Sequence, residues 1–307
     1  MISLVNSLAR WFQLNMIREV IAKTLLSYVK QPDLYFGLKY NLNLFRGCQH
    51  HCIYCDSRSE CYQIEAFDRD VLVKVNAPEL LANELTHKRI KGTIGTGSMN
   101  DPYMPLESEI LLTRRVLKVI AKFGFPIHII TKSDLIIRDV DILQEINKVY
   151  AIISFTISTA DDSLGKKLEP GAPLVSKRLK AMKTLSDAGI QTGVTLMPVL
   201  PFIEENSDYI KSILEKAVEA GARYVIPAFS VTLRDRQRDY YYDQLDKLFP
   251  GLSQRYKNTY GNRYDYASPA SNQLCDLFKT QCHKLGLTSG IIPYQPKVMP
   301  QQPELGI

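Results

Sequence analysis

Three cysteines lie close together in Phe45-Arg46-Gly47-Cys48-Gln49-His50-His51-Cys52-Ile53-Tyr54-Cys55, with the spacing CxxxCxxC. Three thiolates on one short loop can hold three corners of an iron–sulfur cube and leave the fourth iron without a protein ligand. An open iron can chelate a small molecule and pass it an electron, whereas a cluster held by four cysteines usually only relays charge. Structural zinc is the alternative for the same residues, with Cys61, His50 or His51 as the fourth ligand. Zinc ligands usually arrive as two pairs on separate arms, and no second CxxC or CxxH follows downstream. Disulfides are not expected, because nothing marks the chain as secreted. Cys61, Cys275 and Cys282 read as packing residues; the last two are seven apart, on one face of a helical stretch.

The elements that must position this loop alternate between strand and helix. Tyr40, Leu42 and Leu44 alternate with polar residues, predicting a strand over 40–46 that runs into the cysteines. Helices are predicted over 78–89, 106–123, 140–148, 176–188 and 207–220. Pro78 opens the first, and Gly189 and Gly221 close the last two. Dense apolar strands fall between them at 91–97, 126–131, 151–158, 191–197 and 223–229. Near-continuous apolar strands separated by helices predict a parallel sheet covered by helices. Six such units fit an α/β fold of the partial (β/α)6 TIM-type barrel class, with a helical and loop extension at the C-terminus. The functional site is then expected at the C-terminal ends of the strands, where the cysteine loop lies.

At 307 residues the chain can bury a large core, and its net charge of +6 permits acidic partners without requiring them. No apolar run approaches the ~18 residues a membrane span needs, so no membrane partner is expected. Residues 1–15 are mildly amphipathic but lack a long apolar core and a cleavage site, and Met16 reads as an alternative start. A reducing cytoplasmic location follows, as a labile cluster would require.

Several further stretches point the same way. They are Gly95-Thr96-Gly97-Ser98-Met99-Asn100-Asp101-Pro102-Tyr103, Thr131-Lys132-Ser133, Phe155-Thr156-Ile157-Ser158-Thr159, Leu168-Glu169-Pro170-Gly171-Ala172-Pro173 with Arg178, and Met197-Pro198-Val199-Leu200-Pro201. With the cysteine loop, and in this order, they make the chain resemble, over roughly residues 33 to 290, the radical S-adenosylmethionine (radical SAM) superfamily, in its spore photoproduct lyase-like branch. The resemblance implies a [4Fe–4S] cluster on Cys48, Cys52 and Cys55. It implies S-adenosylmethionine at the open iron and reductive cleavage to a 5′-deoxyadenosyl radical that abstracts hydrogen from a substrate. It also implies a reducing electron donor of flavodoxin or ferredoxin type. The hard chemistry would belong to the cofactors, with the protein supplying orientation and a dry cavity.

By the same resemblance, Tyr54 is expected near the adenine, Asn100 and Asp101 near the methionine amino group, and Lys132 facing the carboxylate as a compact cation. Asn-Asp-Pro is also a turn signal in its own right. Thr156 and Ser158 lie two apart and so share a strand face, where an inward hydroxyl could bond the cofactor. Arg178 is grouped with the cofactor-binding residues, pairing with Glu169 to brace the site. Residues 1–32 are expected to form an N-terminal extension, 33–230 the radical SAM core, and 231–307 an extension closing the barrel or contacting substrate.

Spore photoproduct lyase carries a hydrogen-donating cysteine after its second strand. Gly95–Tyr103 holds none, which argues against thymine-dimer-type repair, and Tyr103 is the candidate radical relay there. Beyond residue 230, Arg234, Arg236 and Arg238 interleave with Tyr240–Tyr242, and Arg255, Tyr256, Tyr260, Arg263, Tyr264 and Tyr266 follow. Nucleic acid is therefore a candidate substrate, and a lesion lyase the runner-up function. Acidic Asp235, Asp239, Asp243 and Asp246 dilute the basic character, favouring instead a packed helix and loop that close the barrel. A zinc-stabilised module without catalysis is the alternative from another class.

Overall fold

The computed structural model describes residues 16–30, 33, 35–64, 67 and 70–296. Residues 1–15, including the segment read above as dispensable, lie outside the described residues. Strands β1 (Met16–Val20), β2 (Leu26–Tyr28), β3 (Tyr40–Leu42), β4 (Phe45–Arg46) and β5 (Asp70–Lys74) precede helix α1 (Ala77–Thr86). Then come β6 (Ile94–Thr96), α2 (Glu107–Ile110), α3 (Leu112–Phe123), β7 (Ile127–Thr131), α4 (Val140–Asn147) and β8 (Ala151–Thr156). They are followed by α5 (Asp162–Leu168), α6 (Val175–Asp187), β9 (Gln191–Leu196), α7 (Ser207–Glu219) and β10 (Tyr224–Pro227). The last elements are β11 (Ser230–Thr232), α8 (Asp235–Leu248), α9 (Leu252–Tyr260), β12 (Asp265–Ala267), α10 (Ser271–Leu285) and β13 (Thr288–Ser289).

The main sheet runs β13-β10-β9-β8-β7-β6-β3-β2. The six predicted strands, β3 and β6 to β10, are parallel neighbours in chain order. β13 extends them in parallel beyond β10, and β2 adds antiparallel to β3. The sheet is thus open at both edges, the α/β partial-barrel architecture. Its central strands are apolar for a physical reason. All six residues of β8 are buried, because helices cover one face and barrel side chains fill the other. The main core runs from Leu42 through Ile129, Ile153 and Val194 to Val225. Among the described residues no helix is long and apolar enough to cross a membrane.

Local chemistry sets the element ends. Asp161 and Asn206 cap α5 and α7 by accepting backbone N–H bonds from Ser163 and Asp208, at 2.7 and 2.8 Å. Gly124 and Gly189 follow α3 and α6 in the left-handed region.

Two expectations need correction. The predicted 40–46 strand divides, because Phe45 and Arg46 leave β3 and pair antiparallel with β5 in a separate β1-β5-β4 sheet. The predicted 106–123 helix breaks at Leu111, which has φ +53°. The Glu107 carboxylate accepts from the N–H groups of Thr113 (2.9 Å) and Arg114 (3.3 Å), so a new helix starts under a cap of its own.

Candidate active site

At the carboxyl ends of the parallel strands lies a cavity of about 380 Å³. The cysteine loop walls one side, and the segments after β6, β7, β9 and β10 supply the rest. Its lining includes Cys48, Cys52, Cys55, Tyr54, Asn100, Asp101, Lys132 and Thr156. Eight residues chosen from the sequence therefore meet around one space. Cys48 and Cys52 are buried, Cys55 is half-buried, and all three are free thiols.

The loop is clamped from three directions. Gly171 N–H donates to His50 O at 2.9 Å, and a Cβ on Gly171 would lie 2.1 Å from Gln49 O, so the two backbones touch where only glycine fits. Ile53 N–H donates to Leu168 O at 2.9 Å. The fully buried Gln237 donates to Tyr54 O at 3.0 Å. Ser57 hydroxyl adds a bond to Met99 O at 2.8 Å, joining the loop to the segment after β6.

Asp101 is a structural hub. Its Oδ1 accepts from Thr131 hydroxyl (2.7 Å) and Tyr103 N–H (2.9 Å), its Oδ2 from Lys132 N–H (2.6 Å), and His50 Nε2 lies 3.0 Å from Oδ2. Burial raises its pKa, but His50 and these hydrogen bonds outweigh burial and hold it at about 2. Asn100 likewise uses its amide N–H to brace Phe45 O at 2.7 Å.

Glu169 forms the second hub. Its carboxylate accepts from the Tyr54 hydroxyl, pairs with Arg178 at 2.5 Å and lies 3.9 Å from Lys132 Nζ. Burial works against its charge, but Arg178 and then Lys132 keep its pKa below the ordinary value. Burial likewise opposes the Lys132 ammonium, yet Cys52 and Glu169 raise its pKa overall. Lys132 Nζ also lies 5.8 Å from the Tyr54 ring centroid.

Arg178 stands behind the wall rather than on it, fully buried and donating to Pro173 O (2.9 Å) and Thr156 O (3.1 Å). Thr156 lines the cavity and bonds Thr195 through their hydroxyls at 2.9 Å. Ser158 is buried outside the lining, beside the buried carboxyl of Glu204. Tyr103 is fully buried in the main core, 6.0 Å from the Arg138 guanidinium, and does not line the cavity. Spacing missed Asp56, Tyr62 and Ser230–Thr232, which also line the cavity. The proximity of Asp56 to Cys55 was the available signal.

The thiols test what the loop can hold. Burial, then the charge of Asp101, pushes the Cys48 thiol up to about 12, and burial raises Cys52 further with Lys132 only partly opposing. Without a cation at the loop these groups stay protonated, and a bound metal centre reverses that preference. Two of the three candidate fourth zinc ligands are not placed for it. Cys61 is exposed, not packed as expected, and His50 engages Gly171 O (3.4 Å) and Asp101 through its two ring nitrogens. Three free thiols lining one cavity fit a cluster with one open iron.

Most of the basic and aromatic residues after β10 are turned inward, while Arg255, Arg263 and Tyr264 are exposed. Arg234 bonds Asp56 at 2.8 Å, Arg236 bonds Arg58 O and Ile64 O, and Arg238 bonds Leu233 O and Arg263 O. Tyr241, Tyr242, Tyr256, Tyr260 and Tyr266 share a core with Cys52 and Tyr54. Tyr260 stacks on Tyr266 at 4.5 Å.

An open parallel sheet with a three-cysteine loop at its carboxyl ends defines a class of cluster-bearing α/β enzymes. The chain belongs to the radical SAM superfamily, whose family model, "Radical SAM superfamily", matches residues 42–226. It is 38% identical over 167 residues to an uncharacterized protein of Methanocaldococcus jannaschii, covering 54% of this chain and 62% of that protein, less than two thirds of its length. It is 28% identical over 263 residues to an uncharacterized protein of Mycobacterium tuberculosis, covering 83% of this chain and 76% of the relative. A spore photoproduct lyase solved with bound AdoMet and dinucleoside spore photoproduct shares the fold. The TM-score is 0.66 at 15% identity, over 89% of this chain and 81% of that one. Members of this superfamily work with a [4Fe–4S] cluster and S-adenosylmethionine.

Proposed function

We propose that Cys48, Cys52 and Cys55 ligate a [4Fe–4S] cluster and that S-adenosylmethionine occupies the cavity beside it. The observation that carries this reading is the convergence of three free, largely buried thiols and Lys132 on one cavity. When bound, the cluster supplies the electron that splits the sulfonium C–S bond of S-adenosylmethionine, giving a 5′-deoxyadenosyl radical for hydrogen abstraction.

The protein's own part is placement. Lys132 offers a cation for the cofactor carboxylate, and Tyr54 an apolar ring for the adenine. Asn100 and Thr156 present polar side chains to the same space. Asp101 and Arg178 act as positioning residues, one holding the turn beside Lys132 and the other holding Glu169. The Tyr54–Glu169–Lys132 contacts fix the loop's orientation before anything binds, which lowers the ordering cost of binding.

The electron donor is a flavodoxin- or ferredoxin-type carrier, and the reducing cytoplasm is where such a centre survives. A lesion-lyase reading needs an open basic face for nucleic acid. Arg234, Arg236 and Arg238 are taken up by internal contacts, which leaves Arg255, Lys257 and Arg263 among the exposed basic residues of this segment.

Anaerobic reconstitution with iron and sulfide, followed by dithionite reduction and assay of 5′-deoxyadenosine, tests the reading. The parent protein should bind about four irons and release 5′-deoxyadenosine. Cys48→Ala, Cys52→Ala and Cys55→Ala should each abolish that release. A colourless protein holding one zinc, or full turnover in any of the three variants, would refute it.

A further inference from the structure

Cys52 and Tyr54 line the inner cavity, while Ile53 between them forms part of the floor of an open depression on the outer surface. Lys166, Lys167, Pro170, Leu174 and Leu248 stand around it. Consecutive Cα atoms are ~3.8 Å apart, so the floor lies one residue from a cluster ligand. The Ile53 N–H to Leu168 O bond joins that floor directly to α5, the helix that carries both lysines.

We infer that this depression docks a protein one-electron carrier with an acidic rim, the reductant required by the function proposed above, on which the inference rests. The charge balance favours an acidic partner. Lys166 and Lys167 are exposed neighbours, and the acid on the wall, Asp162, is already engaged by Ser176 N–H (2.9 Å) and hydroxyl (2.6 Å). Leu174 is 39% exposed at the edge, giving an apolar contact within a polar rim, as transient interfaces have. In the step served, the carrier loses one electron and the cluster gains it. No bond forms or breaks and no proton need move. The carrier meets the outer side of the loop, so it need not displace what lies in the cavity.

The test uses the anaerobically reconstituted full chain and a purified bacterial flavodoxin in its fully reduced form as the probe. Two readouts apply: the dissociation constant of the probe at low and raised salt, and the rate at which cluster absorbance bleaches. The double variant Lys166→Glu with Lys167→Glu should weaken probe binding about tenfold and slow probe-driven bleaching in proportion. Raised salt should weaken parent binding in the same direction. Leu174→Glu, on an exposed side chain apart from the bond that Lys166 Nζ donates to Pro170 O (2.5 Å), should act similarly. Bleaching by dithionite, which needs no docking, should be unchanged in all of them. Parent-like probe affinity and bleaching in both variants would overturn the docking face alone. Variants that lose self-association while keeping probe affinity would assign the face to a second copy of the chain and also overturn it. A parent protein with no cluster absorbance would overturn the function on which the inference rests.

Discussion

Glu169 meets the Tyr54 hydroxyl, the Lys132 ammonium and the Arg178 guanidinium with one buried carboxylate. Lys132 is the partner held least tightly, at 3.9 Å, which leaves its charge available to a second anion in the cavity. Lys132→Ala should therefore weaken S-adenosylmethionine binding about tenfold while iron content stays at the parent level, as equilibrium dialysis and iron analysis would show. Unchanged affinity would return Lys132 to a purely structural part.

Glu204 carries a pH prediction. Its Oε2 accepts from Leu200 N–H at 3.0 Å, and its Oε1 has no hydrogen-bond partner among the described residues. Burial pushes the carboxyl up from 4.5 to about 8, with the Leu200 and Ser158 contacts only partly opposing. Between those values the folded chain holds a proton that the unfolded chain has lost. Its contribution to stability is thus fully present below about pH 4.5, falls as pH rises, and levels off above about pH 8. Between about pH 5 and about pH 8 in urea unfolding, the parent should lose roughly 3–4 kcal/mol more than Glu204→Gln does. Equal slopes in the two proteins would contradict the assignment.

At this scale the meeting of the cysteines and Lys132 at one cavity was legible, because both follow strands directly. It did not reveal that Tyr103 faces the core. The direction of a side chain beyond a strand end depends on the Asp101 contacts rather than on spacing.

The loop between α5 and α6 acts on the cysteine loop through backbone alone. At Gly171 an added Cβ would meet Gln49 O at 2.1 Å and the His50 backbone at 2.9 Å, neither of which can swing aside as a side chain does. Gly171→Ala should shift the cysteine loop, lower iron retention severalfold and cost ~1–3 kcal/mol of stability. Iron and sulfide analysis beside thermal unfolding would measure both, and full iron content at parent stability would contradict the close approach. The parallel strands and most helices were legible because their apolar periods are local. The splitting of 40–46 was not, since Phe45 and Arg46 pair with β5, about 27 residues onward. The break at Leu111 was equally hidden, because it depends on Glu107 capping a helix that starts five residues later. β13 contributes two residues to the sheet, too short a run for any periodicity to reveal.

Across the whole molecule, an open sheet gathers six strand ends around one cavity, and the region after β10 supports the cysteine loop from behind. Gln237 holds Tyr54 O, Arg234 holds Asp56, and five tyrosines pack in the core that contains Cys52 and Tyr54. The Arg–Tyr segment that resembled a nucleic-acid surface is largely a packing device, and only the charge balance in the sequence hinted at this. The central claim is that three thiols hold a cluster whose fourth iron takes S-adenosylmethionine. Electron paramagnetic resonance of the dithionite-reduced protein, with and without S-adenosylmethionine carrying a nitrogen-15 amino group, tests it most directly. A reduced-cluster signal that changes on adding S-adenosylmethionine and shows coupling to the labelled nitrogen is expected. A signal indifferent to S-adenosylmethionine, or no cluster signal at all, would contradict it.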